Sequence, residues 1–299
     1  MSKTSGTNAW NPELQFYNKV YRTHRPSSPI LVVGLPKAGT STLFSYFDCL
    51  GFYSQHWYCC GPQRYAQQEN MPSYMADCMV SNLQDHLPIL DGCGDYDVYT
   101  ELNGPRRRAQ ADQDMVGADG SMGYRPRIFL PQHYHLKELH DYAPNATWIL
   151  NLRPVPDWIR SVQQVPANML AKQLLYEARE QEPHRWTTRP HPADGLLSIT
   201  SEPYRPNADF LQDFWQAHVD RVLSFVQQHP THSLVIVNIT HPEAGRVLAQ
   251  DLSQTGKVSF PILEKRMRQS KDHSANTTTT VLYSRAKACW GAYNVKQHG

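Results

Sequence analysis

No apolar run in this 299-residue chain approaches the ~20 residues needed to span a bilayer. The opening stretch, MSKTSGTNAWNPELQFYNKVYRTHRPSSP, has no apolar segment of the signal-peptide kind. The chain therefore reads as soluble and cytoplasmic, with a Golgi-lumenal protein as the alternative if an anchor lies outside this sequence. Charge bias is also missing. The 29 basic and 27 acidic residues leave a net charge of +2, which argues against nucleic acid as a bulk partner. None of the six cysteines (Cys49, Cys59, Cys60, Cys78, Cys93 and Cys289) has C-x-x-C spacing, so no zinc site and no metal cofactor is expected. Buried or free thiols are the default for a cytosolic chain. The clustering of four cysteines from Cys59 to Cys93 would admit disulfides in an oxidising compartment.

One further absence is more specific. Ile30 to Gly51 reads ILVVGLPKAGTSTLFSYFDCLG. Gly34 and Gly39 have the separation of an ATP-binding phosphate loop, but no lysine follows the second glycine. Lys37 lies between the two glycines, and Thr40 and Ser41 follow Gly39 directly.

Three continuous apolar runs are present: Ile30–Val33, Thr147–Leu152 and Leu234–Ile239. Helical spacing accompanies each. Leu43, Phe44, Phe47 and Leu50 follow the first, and Trp158, Ile159, Val162 and Val165 follow the second. A long amphipathic stretch, Phe210–Gln228, precedes the third, with His218 on its inner face as a packed core histidine. Apolar strands alternating with helices predict an α/β fold, a parallel sheet flanked by helices in three layers. The expected division is an N-terminal extension over 1–28, one domain over 29–268 and a polar, partly disordered tail over 269–299. Arg106–Pro126 and Glu180–Pro206 read as long irregular loops.

A strand ending at Val33, a glycine-containing turn and a helix starting near Thr40 make an anion site. Backbone N–H groups of Ala38, Gly39, Thr40, Ser41 and Thr42 would face a phosphate, and the helix dipole would favour its charge. The plainer reading is a turn joining a strand to a capped helix. The second strand ends in a comparable feature: ATWILNLRPVPDWIRSV puts Arg153 at the strand end and Ser161 eight residues on. An arginine fork suits a phosphate, and both residues fall beyond the carboxyl ends of parallel strands, where open α/β sheets bind ligands.

The order P-K-x-G-T-[ST] after an apolar strand, followed by Arg-x7-Ser after another, resembles the sulfotransferase family. The wording looks closest to a divergent branch that includes the oxamniquine-activating sulfotransferase. The resemblance implies a P-loop-type α/β fold and transfer of a sulfuryl group from 3′-phosphoadenosine 5′-phosphosulfate (PAPS; product PAP) to a hydroxyl or amine, without metal. It implies that Lys37 to Thr42 hold the 5′-phosphosulfate, that Arg153 and Ser161 hold the 3′-phosphate, and that Lys37 assists the leaving group. For the base, Asp97 and Glu101 in CGDYDVYTELNGP stand four apart, on one face of a strand or helix. Glu101 is the first choice and Asp97 the second. Asp119 and His56 are rivals, and the alternative for the acidic pair is a solvated contact with Arg106 to Arg108. Trp57, Tyr58, Tyr96 and Tyr99 would line an acceptor pocket or sit in the core. The basic run Lys265, Arg266, Arg268 and Lys271 would cover the 3′-phosphate or form a solvated face. The acceptor, a small molecule or a glycan, and the oligomeric state are not encoded in these motifs. The competing readings are a nucleotide-dependent P-loop kinase and a non-catalytic nucleotide-binding protein.

Overall fold

Along each apolar strand, alternate side chains enter different cores. Leu31, Val33, Trp148, Leu150, Leu234 and Ile236 belong to one buried cluster, whereas Ile30, Val32, Ile149, Val235 and Val237 belong to another. A strand apolar at every position is therefore covered on both faces, as parallel sheets are. The computed structural model describes residues 20–21, 27–59, 73–105, 127–186, 208–254 and 282–291.

The main sheet has six strands: β1 (Val20–Tyr21), β2 (Ser27–Val32), β3 (Ser54–Gln55), β6 (Val98–Tyr99), β9 (Ala146–Leu152) and β10 (Ser233–Asn238). Their order is β1-β10-β9-β2-β6-β3. β1 is antiparallel to β10, and the other five strands are parallel. Two small ribbons pair β4 (Tyr58–Cys59) with β5 (Ser73–Tyr74), and β7 (Gly104–Pro105) with β8 (Ile128–Phe129). The helices are α1 (Thr40–Cys49), α2 (Met75–Gln84), α3 (Pro131–Tyr134), α4 (Leu136–Tyr142), α5 (Val155–Gln163), α6 (Met169–Gln181), α7 (Pro183–Trp186), α8 (Ala208–Gln228), α9 (Ala244–Gln254) and α10 (residues 282–291). α1, α9 and α10 cover one face through Leu43, Phe47, Leu248, Leu252 and Trp290. α2, α5, α6 and α8 cover the other through Met79, Trp158, Leu174 and Phe214. The three-layer α/β arrangement is the one expected. Among the described residues, no helix is long and apolar enough to cross a membrane.

Three expectations change. Residues 282–291 of the supposed polar tail form α10, whose Leu282, Ala286, Cys289 and Trp290 are all buried. The spacing of those four residues is helical, so the hydrophobic effect orders this segment. Glu180–Pro206 does not begin as a loop, because α6 and α7 continue to Trp186. The thiol default also gives way: Cys49 is bonded to Cys289, and Cys78 to Cys93. Arg106–Pro126, Asp119 and the basic run from Lys265 to Lys271 lie outside the described residues.

Buried histidines tie the layers together. His218 on α8 donates its Nε2–H to the Val33 carbonyl (2.8 Å), and its Nδ1 faces His133 Nδ1 (3.1 Å). His232 meets the Ala146 carbonyl at 3.1 Å and His140 at 2.9 Å. Burial pushes His218 down to about 3, His232 to about 4, and His133 well below its ordinary value. The folded chain thus binds fewer protons than the unfolded one below pH ~6.5, and stability falls as the pH is lowered from there. Each histidine contributes a slope of up to about 1.4 kcal/mol per pH unit. The thermal midpoint is expected to drop between pH 7 and pH 5. His218→Gln, which keeps a donor for Val33 but does not titrate, should flatten the drop. A midpoint constant over that range would contradict the assignment.

Candidate active site

The turn after β2 is held from its neighbour, β9. The β2–β9 register pairs Val32 with Ile149, and Val33 N–H continues the ladder to the Ile149 carbonyl at 2.8 Å. Two residues on, Asn151 bridges the turn: its Oδ1 accepts from Gly34 N–H at 3.1 Å and its Nδ2 donates to the Ala38 carbonyl at 2.8 Å. Trp158 of α5 donates Nε1–H to the Pro36 carbonyl at 2.9 Å. The loop is therefore fastened by the strand and the helix that carry Arg153 and Ser161. Sequence reasoning missed Asn151 because nothing marks one asparagine inside an apolar strand as a clasp.

Lys37 is exposed and adopts a left-handed backbone, φ 67°. Gly39 follows with φ 98°, and a Cβ there would lie 2.8 Å from Ile239 Cδ1. No side chain caps α1. Its first N–H groups, which have no intrahelical partner, remain available for an anion. Ala38 does not add its N–H to them, because that group already donates to the Leu35 carbonyl at 3.1 Å. The Thr40 hydroxyl is engaged too, as described below.

Arg153 follows the last residue of β9, so it and the loop leave adjacent parallel strands at the same edge. It is half-buried, and its Nε is buried with no partner among the described residues. Ser161 is half-buried on α5. An unpartnered buried guanidinium nitrogen calls for an explanation, and a ligand oxygen supplies one.

On the other side of β2, the acidic pair is split. Asp97 precedes the two-residue strand β6, and its Oδ2 accepts from Tyr53 N–H at 3.0 Å, at the end of the strand away from the loop. Glu101 lies beyond the carboxyl end, beside the loop. The two acids do not share a face of one element, and Asp97 is too far along the strand to serve there. Glu101 is 5% exposed. It accepts from Thr40 Oγ1 at 2.9 Å, from Asn103 Nδ2 at 3.1 Å and from His56 Nε2 at 2.6 Å. Burial pushes the Glu101 carboxyl up, but the donors, His56 foremost with Trp57 and Thr40, outweigh it and hold the group below its ordinary value. A carboxylate so enclosed and so stabilised is held in its ionised form beside the loop.

His56 reaches Glu101 because β3 runs beside β6, with Gln55 opposite Tyr99. Thr100 donates its N–H and its hydroxyl to the Gln55 carbonyl, at 3.0 and 2.6 Å. His56 Nε2 also lies 3.2 Å from Ser41 Oγ on the first turn of α1. Tyr99 is buried, in line with the core alternative, and Trp57 and Tyr58 are exposed. Among the described residues, no group of three His, Cys, Asp or Glu side chains could hold a metal ion.

The family model for the sulfotransferase domain matches residues 29–242, which takes in both strand-end features, the Glu101 cluster and β10. The chain belongs to the sulfotransferase family. None of the curated proteins matches it significantly. Membership makes the chain a transferase whose chemistry is sulfuryl transfer, and the strap of Asn151 and Trp158 is this sulfotransferase's means of presenting its loop.

Proposed function

We propose that this sulfotransferase moves the sulfuryl group of PAPS to a hydroxyl of a small molecule or glycan. The observation that carries the reading is the buried, unpartnered Nε of Arg153 after β9, together with the uncapped first turn of the helix that follows the adjacent strand β2. Two anion sites at one sheet edge suit a nucleotide phosphorylated on both sides of its ribose, which ATP is not. The α1 N–H groups with Ser41 and Thr42 would hold the 5′-phosphosulfate, and Arg153 with Ser161 the 3′-phosphate. The bound donor supplies an activated sulfuryl group on a phosphate oxygen. Lys37 stands on the loop's shoulder, where an ammonium stabilises charge building on that oxygen. The Cys49–Cys289 and Cys78–Cys93 bonds favour an oxidising compartment over the cytoplasm.

The test is thermal stabilisation by adenosine 3′,5′-bisphosphate (PAP) against ATP with magnesium. PAP is expected to raise the midpoint and ATP–magnesium to have little effect; the reverse would favour the kinase reading. In Arg153→Ala the affinity for PAP should fall by roughly 10- to 150-fold, the equivalent of the ~1.5–3 kcal/mol commonly lost with a charged contact. Unchanged affinity would remove Arg153 from the site.

A further inference from the structure

Carbonyl oxygens fix the protons on a group of three histidines. His232 precedes β10, and its Nδ1 stands 3.1 Å from the Ala146 carbonyl, which can only accept. His232 therefore carries its proton on Nδ1 and its lone pair on Nε2. That lone pair lies 2.9 Å from His140 Nδ1, so His140 donates there. His229 Nδ1 lies 2.9 Å from the Phe225 carbonyl and is a donor too. In the neutral rings of His140 and His229 the remaining lone pair is consequently on Nε2. Neither Nε2 has a hydrogen-bond partner among the described residues.

These two rings are neighbours. His140 is on α4 and His229 directly follows α8, with centroids 4.5 Å apart and planes inclined by 55°. Both residues are half-buried. Phe225 stacks on His229 at 4.0 Å, and His232, which holds His140, packs on Trp148 at 4.4 Å. A metal ion about 2.0–2.1 Å from an imidazole nitrogen stands about 3.2 Å from the ring centre. Two rings 4.5 Å apart can then subtend about 90° at one ion, the angle between adjacent ligands in tetragonal coordination. Each Nδ1–H is already held by a carbonyl or by a further imidazole, the outer-shell arrangement usual for metal-ligating histidines. Burial, and after it the charge of His229, holds His140 below its ordinary value, which keeps the ring in the neutral form that ligates. Asp141, next to His140, is paired with Lys137. No third described His, Cys, Asp or Glu completes the group, so water fills the remaining positions.

We infer that His140 and His229 together bind one late first-row divalent cation, copper(II) above the others, through their Nε2 atoms, and that His232 orients His140 from behind. Two imidazoles with water suit copper(II) in tetragonal geometry, and affinity at a given nitrogen site rises to copper(II) and falls again at zinc. The site lies where β9 and β10 begin, whereas Arg153 and the Lys37 turn leave the sheet at the opposite edge. It is therefore separate from sulfuryl transfer. The bound ion would tie α4 to the turn between α8 and β10. A hydrogen bond from the Thr231 hydroxyl to the Pro144 carbonyl already joins those two segments.

The experiment titrates the chelator-stripped full chain with copper(II) at neutral pH, and follows bound copper by its electron paramagnetic resonance spectrum and by the thermal midpoint. The wild type is expected to hold one copper more than His140→Ala, and the same one more than His229→Ala. The double variant should lose no further copper, because the two ligands share one ion. The spectrum of that copper should show coupling to two imidazole nitrogens. Copper should raise the midpoint of the wild type and of neither variant, zinc should bind more weakly, and magnesium, which prefers oxygen ligands, should have no effect. His232→Gln should weaken copper binding roughly 10- to 100-fold at unchanged stoichiometry, the usual cost of losing an outer-shell partner. Midpoints in EDTA establish which variants are folded, and His140→Gln or His229→Gln replaces an alanine variant that is not. Equal copper uptake by the wild type and either folded single variant would overturn the site. A loss of two coppers in the double variant would show two independent histidines and overturn it equally. Stabilisation by magnesium as strong as that by copper would overturn the class of ion.

Discussion

Lys37→Ala should slow sulfuryl transfer by roughly 10²–10³-fold, the usual cost of removing one group aimed at developing charge. The affinity for PAP should fall less, because that product no longer carries the oxygen–sulfur bond at which the ammonium acts. The backbone makes the experiment sharper. Lys37 sits at φ 67°, a region that penalises any residue with a Cβ by about 1–2 kcal/mol. Lys37→Gly removes both the charge and the penalty. It should be at least as stable as the parent to thermal unfolding, yet as slow as Lys37→Ala. Lys37→Arg keeps a cation but trades a compact ammonium for a planar fork, and an intermediate rate is expected. If Lys37→Gly transferred at the parent rate, the lysine would have no part in the chemistry.

Gly34→Ala should be the most damaging single methyl in the molecule. A Cβ there would stand 2.0 Å from Asn151 Oδ1 and 2.6 Å from the Asn151 backbone oxygen. The side chain cannot swing aside freely, because it also holds the Ala38 carbonyl, and the backbone oxygen belongs to a central strand. Overpacking commonly costs 1–3 kcal/mol. With two rigid obstacles a loss of at least about 3 kcal/mol is expected, lowering the midpoint by roughly 6–12 °C for a domain of this size. PAP should no longer stabilise the variant, since the displaced turn is the one that opens α1. Adding Asn151→Ala removes the nearer obstacle and leaves the backbone one, so the double variant should recover only part of the loss. An unchanged midpoint in Gly34→Ala would mean that the clasp is not formed in solution.

The parts that were legible in the sequence are those in which a pattern repeats. β2, β9 and β10 are apolar at consecutive positions, and α1, α5 and α8 carry helical spacing, so the layers followed. The Lys37 turn and Arg153 were legible because each joins a strand end to a helix start. β3 and β6 are two residues each, too short for any periodicity, and without them nothing brings His56 opposite Glu101. Asp97 and Glu101 looked equivalent by spacing, and only the direction of β6 sets one beside the loop and the other at the far end. The residues of α10 had the spacing of a buried helix, but the polar Thr-rich run before them obscured it. The Cys49–Cys289 partnership had no local signal at all.

That last bond spans 240 positions. It closes most of the polypeptide into a covalent ring, with α1 at one side of the junction and α10 at the other. A single cut anywhere in the ring opens the circle without freeing a fragment, so α1 and α10 would remain one molecule until the sulfurs are reduced.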